Sequence, residues 1–426
     1  MKVLSGHKKQ VKDKIKYVLG GSRLSSEYYL FLTVHTLFLI FTKIPGVFIN
    51  TLLMNQTRSV NAVLFYNGSI FTACAVTMLF SAQIMHKKGC RFTAAAGIGS
   101  YTVLYLCYVL LQAYVGEYYL LFGLCNGIAD GFYYISYGSM VLAYTDISNR
   151  DSGMGIISIL GAGVNLAVPF LSGTVISVVG GVKGYVTIFA IAFGIALMAV
   201  CTVFRLPKDE MQQSAGVHYI AFVKKLRQNR EVCLGLLGET MKGIREGTFM
   251  FILNLVLYQF IKSEFLIGCN SLMTGVVSIG SFWIISHFFR PNNRLRYMLL
   301  AVCGLSGVAL ICFWILNPAM VIFYAAVNAF LAGMLEVSCY SIFFDVSQNM
   351  AGIEDFAPEL LAFHEVSVVS GRCLGLLGFA AVNYYTGATL KAQMFSLLVL
   401  TLLQFVTVAV CRRTGIDSIG IQAVDQ

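Results

Sequence analysis

Apolar runs of membrane-crossing length recur from one end of this 426-residue chain to the other. A helix needs about 20 apolar residues to cross the hydrocarbon core of a bilayer. Twelve segments reach or approach that length with flanks included: 28–53, 61–85, 92–113, 118–144, 153–180, 184–204, 233–261, 265–288, 296–316, 319–345, 358–385 and 390–411. In chain order they are spans 1 to 12. Lipid offers no hydrogen bonds, so a spanning backbone must be helical or part of a closed barrel. Barrel strands run to about 10 residues and alternate in polarity, which these segments do not. The expected fold is therefore an all-α polytopic membrane protein. Composition agrees, with 58% hydrophobic and 12% charged residues against about 25% charged in soluble proteins.

The formal net charge of +10 raises the question of a nucleic-acid partner, and its distribution answers it. If the N-terminus is inside, 22 of the 30 Lys and Arg fall in inward regions, and Arg58, Lys183, Lys262 and Lys391 fall in outward loops. The other four (Lys43, Lys242, Arg245 and Arg372) lie within spans. Cytoplasmic loops of membrane proteins are rich in Lys and Arg, so both termini are expected in the cytoplasm and no nucleic acid is expected as a partner. The bilayer is the surrounding partner, the expected setting is a bacterial cytoplasmic membrane, and the expected state is a monomer. The apolar run after the basic tail is too long for a signal-peptide core. The twelve cysteines sit singly, mostly in apolar segments, and read as small buried hydrophobes with no disulfide, metal or other cofactor expected.

The organisation follows: a basic tail (1–27), six spans (28–204), a linker (205–232), six more spans (233–411) and a second tail (412–426). Within the linker, Tyr219–Leu226 has the pattern of a short amphipathic helix at the membrane surface. The outward loop after span 1 holds Asn55-Gln56-Thr57, a glycosylation sequon in a eukaryotic source. The two six-span blocks are related. A shift of 203 places Asn67 on Asn270, Lys87 on Arg290 and Arg91 on Arg294, and a shift of 204 places Asn50 on Asn254. A shift of 202 places Asn126 and Gly131 on Asn328 and Gly333, and a shift of 199 places Asp146-Ile-Ser148 on Asp345-Val-Ser347. Near-constant shifts over spans 1, 2 and 4 indicate two parallel six-helix repeats.

With that architecture the chain resembles the major facilitator superfamily of secondary transporters over nearly all of residues 28–411. The most portable motif of that family, Gly-x-x-x-Asp-(Arg/Lys)-x-Gly-Arg-(Arg/Lys), lies between spans 2 and 3. Here the stretch is Ala82-Gln-Ile-Met-His86-Lys87-Lys88-Gly89-Cys90-Arg91. Lys87, Gly89 and Arg91 fit, Ala82 replaces Gly, and His86 stands where the family usually has Asp. The resemblance implies a lock between inner helix ends, with Lys87 and Arg91 as gating or ion-pair residues. It also implies that spans 1, 4, 7 and 10 line a central cavity. Span 5, with Gly153, Gly155, Gly161, Gly163, Pro169 and Gly173, is similar to the Gly/Pro-rich fifth helix of exporters; its glycines equally suit close helix packing.

Nine ionisable residues lie at membrane depth: Lys43, Asp130, Glu239, Lys242, Arg245, Glu246, Glu336, Glu365 and Arg372. Charge facing lipid is costly, so these groups should face protein or a water-filled cavity. Seven of them fall on spans 1, 4, 7 and 10. Lys43 is either a structural partner of Asp130 or a ligand for an anionic group. Burial favours the protonated form of a carboxylate, which makes Asp130 and Glu336 candidate proton-coupling groups. On span 7, Glu239–Lys242 and Lys242–Glu246 have helical pairing distances of three and four residues. That ladder leaves Arg245 for a substrate carboxylate or phosphate, to which its planar fork is suited. Glu365 and Arg372, seven apart on one face of span 11, are spaced for a gating ion pair, and His364 beside them is the side-chain type whose unperturbed charge changes in the physiological pH range. Asn50, Asn254 and Tyr134, with Asn67, Tyr133, Tyr137 and Tyr258, complete a plausible binding surface.

A cavity holding both charge signs points to a secondary active transporter of a small polar or charged solute, coupled to protons and working by alternating access. A multidrug exporter, or a flippase for a lipid or lipid-linked headgroup, is the alternative. A non-transporting receptor on the same scaffold is a further class. The chain has no His-Glu-x-x-His or Gly-x-Ser-x-Gly pattern, so no catalytic residues are assigned and an enzyme is not expected.

Overall fold

Pro45 lacks a backbone N–H and restricts the residue before it, and span 1 breaks just beyond, into Ser26–Gly46 and Phe48–Thr57. The equivalent helix of the second repeat breaks at the corresponding place without a proline, into Arg230–Phe249 and Ile252–Ile261. Position 47 displaced by 203 is position 250, so one repeat geometry is reached through two local sequences. The computed structural model describes residues 25–144, 150–207, 218–288, 293–348 and 356–414. The basic tail, Asp146-Ile-Ser148, Lys208, Arg290, the last twelve residues and the His86 side chain lie outside the described residues.

Among the described residues eleven helices are long and apolar enough to cross a membrane. The fourth span, Tyr119–Tyr144, has the length but carries five tyrosines, Asn126 and Asp130, which lower its hydropathy. The remaining spans are Val60–Lys88, Cys90–Leu111, Arg150–Val179, Gly181–Val203, Glu264–Phe288, Arg294–Trp314, Pro318–Gln348, Ala357–Thr386 and the bent pair Leu390–Leu402 and Gln404–Arg412. Spans 2 and 3 meet without a loop because Gly89, at φ 85°, turns the chain in one residue. This is the twelve-helix, two-repeat architecture the sequence predicts.

Each six-helix half packs within itself, and the halves meet through spans 2 and 11 and spans 5 and 8. Gly173 of span 5 lies where a Cβ would come within 2.8 Å of the Glu264 carbonyl oxygen on span 8, so this glycine serves the packing between halves. The first half has an aromatic core: Phe31, Phe38, Phe41, Tyr101, Tyr105, Tyr108 and Tyr133 are all buried. Phe38 stacks on Tyr133 at 3.5 Å between centroids. The linker helix forms over Tyr219–Leu226, as its pattern predicts. Its apolar face docks on protein: Phe222 is buried against Phe356 and Phe363 of the span 11 end, while Ile220 is 89% exposed. The end of the bundle carrying this helix is the linker side; the other is the far side.

Candidate functional site

Spans 7 and 11 approach so closely that side chains would not fit between them. A Cβ on Gly371 would lie 2.0 Å from the Thr240 carbonyl oxygen, and one on Gly375 would lie 1.8 Å from that of Ile244. Gly243 and Gly247 face back across the same contact, at Val368 and Arg372. Each helix thus presents glycines four residues apart, the arrangement that lets membrane helices meet backbone to backbone. The approach brings Arg372 Nη2 to 2.6 Å from Glu246 Oε1. Two expected pairings are thereby corrected. Glu246 does not close a ladder with Lys242, and Arg372 does not pair with Glu365. The glycine contact supplies a shorter route between helices than either spacing within one helix. The Arg372 guanidinium also lies 5.3 Å over the Phe71 ring of span 2, so it touches both halves.

The first rung of the ladder does form. Lys242 Nζ is 2.5 Å from Glu239 Oε2, and Glu239 is fully buried. His364 approaches the same carboxylate oxygen, with Nε2 at 3.4 Å from Glu239 Oε2 and Nδ1 at 3.4 Å from Glu365 Oε1. Arg245, left over by the ladder, has a partner on span 10: Nη2 donates to Asn328 Oδ1, and the guanidinium lies 3.8 Å from the centre of the Phe249 ring. Tyr324 stands within its reach as well. Arg245 is buried, and a small cavity is lined by Lys242, Arg245, Glu246, Ala332, Leu335 and Glu336. Glu336 is exposed and makes no ion pair among the described residues.

In the first half, Tyr101 OH reaches Asp130 Oδ1 at 2.6 Å and Asn126 Oδ1 at 2.8 Å. A phenol has one hydrogen, so it donates to one of these at a time. Asn126 Nδ2 donates to Tyr66 OH at 3.2 Å, which extends the polar chain across spans 2, 3 and 4. Lys43 makes no ion pair among the described residues; Asp130 is within Coulombic range of it and of Arg372. Tyr134, one turn beyond Asp130, is 42% exposed and lies within Coulombic range of Glu365.

The asparagines form a repeat-related pair of bonds. Asn67 Nδ2 donates to Asn50 Oδ1 at 2.9 Å, and Asn270 Nδ2 donates to Asn254 Oδ1 at 2.8 Å. Each bond ties the second piece of a broken helix to the next span. The shifts that align Asn50 with Asn254 and Asn67 with Asn270 already carried this signal, because both members of the bond recur together.

One polar cluster was not singled out by residue pattern. On the far side Tyr185 OH donates to Glu264 Oε1 at 2.6 Å, Tyr258 OH donates to the same oxygen at 3.0 Å, and Asn55 Nδ2 donates to Tyr258 OH at 2.7 Å. Thr51 Oγ1 lies 3.1 Å from Tyr185 OH. Spans 1 and 6 of one half are thereby latched to spans 7 and 8 of the other. Asn55, the sequon residue, has its amide engaged here. A pocket of about 460 Å³ borders the latch at the surface, far from the buried charges.

On the linker side, Arg91 Nη1 donates to the Leu206 carbonyl at 3.0 Å, just past the end of span 6. Unsatisfied carbonyls at a helix end suit a cation, so Arg91 ties helix ends without a carboxylate. Lys87 is exposed and has no such tie among the described residues. The counterpart Arg294 does make an ion pair, with Asp345 of span 10. The linker helix bridges the halves: Tyr219 OH donates to the Leu79 carbonyl of span 2 at 3.2 Å, and the His218 N–H donates to Glu359 Oε1 of span 11 at 2.6 Å.

Comparison with known proteins agrees with this geometry. An uncharacterized protein of Bacillus subtilis (strain 168), YqgE, is 23% identical over 370 residues, covering 87% of this chain and 86% of its own. A crystal structure of the POT family transporter PepTSo superposes with a TM-score of 0.73 at 11% identity, covering 92% of this chain and 98% of that one. A crystal structure of the nucleoside transporter NupG superposes with a TM-score of 0.65 at 15% identity, covering 92% and 99%. The family model of the Major Facilitator Superfamily matches residues 30–356. With two six-helix repeats meeting at spans 2 and 11 and at spans 5 and 8, the chain belongs to the major facilitator superfamily.

Proposed function

We propose that this protein is a proton-coupled secondary transporter of a small polar or charged solute, alternating access between halves 28–204 and 233–411 with 205–232 as their linker. The observation that carries this reading is the far-side latch. Residues of both halves are hydrogen-bonded together around Glu264 on the far side. The carboxylates of Glu336 and Glu365 and the phenols of Tyr134 and Tyr340 are accessible deeper in the bundle. The charge bias of the loops supports a cytoplasmic linker side and cytoplasmic tails (1–27 and 412–426), and with that orientation the far-side latch corresponds to an inward-facing conformation. Asp130 and Glu336 remain the groups through which protons couple. Lys43, without an ion-pair partner among the described residues, is the cavity cation open to an anionic part of a solute.

A second reading, export of an organic cation, is favoured by a specific observation. Lys242 and Arg372 are neutralised by Glu239 and Glu246, and Arg245 is buried against Asn328. The charges left accessible are mainly carboxylates flanked by tyrosines, a setting that attracts cations.

Full-length protein reconstituted into liposomes containing trapped pyranine, and challenged with sugars, nucleosides, peptides, amines and organic acids, tests both readings. Proton movement is expected with at least one class, and the class that responds separates the two. If no solute moves protons or is moved by an imposed pH gradient, the transporter reading fails.

A further inference from the structure

His364 is buried between two carboxylates of unequal access. Glu365 Oε1, 3.4 Å from Nδ1, belongs to a side chain that is 39% exposed. Glu239 Oε2, 3.4 Å from Nε2, belongs to a side chain with no exposure, already in contact with Lys242 Nζ. The two ring nitrogens therefore face the cavity wall and the protein interior respectively. From span 10, Phe343 and Tyr340 hold the imidazole at centroid distances of 4.8 and 5.4 Å, and Tyr340 is the titratable group on that side. Cys339 of the same span lies within Coulombic range of Glu239 and Lys242. The linker helix packs on the adjacent Phe363.

Charge arithmetic gives this arrangement a use. With a neutral imidazole, Glu239, Lys242, His364 and Glu365 sum to −1; with an imidazolium they sum to zero. Uncompensated charge beside a fully buried carboxylate is unfavourable, so the cluster is suited to hold one extra proton. We infer that Glu365, His364 and Glu239 form a proton relay, in which a proton enters from the cavity at Glu365 and is held on His364 against Glu239. The inference rests on the proton-coupled reading above and adds His364 to Asp130 and Glu336 as a proton-holding group. In the transfer, the O–H bond of protonated Glu365 breaks, its proton bonds to the lone pair of Nδ1, and Glu365 returns to the carboxylate. Nε2 carries its hydrogen throughout and faces Glu239 Oε2, whose charge stabilises the imidazolium, and release follows the same path in reverse. A displacement of about 0.4 Å at either nitrogen brings these pairs to hydrogen-bond length.

Two measurements on the full-length protein test the relay. The first needs no solute. The chain has six histidines, and ¹⁵N-histidine spectra in nanodiscs, with His364→Asn identifying the signal, follow the imidazole as pH is varied. Glu239→Gln and Glu365→Gln are each expected to move its midpoint toward lower pH by about one unit. A midpoint unchanged in both variants overturns the relay. The second uses the pyranine-loaded liposomes: His364→Asn and Glu365→Gln are each expected to slow solute-linked proton movement at least tenfold. Retention of wild-type proton movement by both variants also overturns it. If wild-type protein moves no protons with any solute, the transporter reading fails, and the spectra still decide whether His364 is the proton-binding group.

Discussion

Arg372 and Glu246 sit at 2.6 Å on different helices, whereas Lys242 and Glu246, one turn apart on the same helix, make no ion pair among the described residues. The difference is measurable. Charge-assisted hydrogen bonds contribute about 1.5–3 kcal/mol, and residues in direct contact show coupling of about 0.5–3 kcal/mol. A double-mutant cycle of Glu246→Gln with Arg372→Gln, read from unfolding in detergent, is expected to give a coupling of about 1–2 kcal/mol. The parallel cycle of Lys242→Gln with Glu246→Gln should give much less. Equal couplings would restore the single-helix ladder and count against the cross-helix pair. At the same scale, the neighbours of Arg245 are not legible along the chain. Its partner, Asn328, is 83 residues away, and only the packing of span 7 on span 10 brings the two together.

At the scale of helices, the span 7–span 11 contact depends on backbone reaching backbone. Gly375 cannot gain a methyl group without displacing the Ile244 carbonyl, whereas Gly378, one turn further, has nothing within 4 Å. Forcing extra atoms into a packed contact costs about 1–3 kcal/mol. Gly375→Ala is therefore expected to lower stability by at least that amount, measured by unfolding in detergent, and Gly378→Ala to leave it nearly unchanged. Similar losses for the two variants would mean that close approach at Gly375 does not set the result, because Ala is the better helix former at both positions. Spacing of small residues is visible in the sequence, as Gly243 and Gly247 or Gly371 and Gly375. Which helix each pair faces is not, because many helices of this chain carry similar spacing.

For the whole molecule, the far-side cluster hydrogen-bonds one half to the other. Tyr258→Phe keeps the ring and removes the hydroxyl that links Asn55 to Glu264. Loss of a net hydrogen bond of about 1–1.5 kcal/mol shifts a two-state equilibrium roughly 5- to 12-fold. Spin labels placed across the two halves at the far side are expected to show a larger population of long distances in this variant. An unchanged distance distribution would mean that the cluster is not a gate. Its members were hard to find in advance: Tyr185 and Glu264 look like ordinary residues at helix ends, and only the closure of four spans makes them partners. The helices, their number and the two-fold repeat were determined by the amino-acid sequence alone, since hydrophobic length is a local property and the repeat leaves its register in matched asparagines. Tertiary structure decided the partners of the buried charges. Glu246 meets Arg372 across 126 positions of chain, and His364 of span 11 reaches Glu239 of span 7, because glycine-lined helices come together and bring residues distant in the chain into contact.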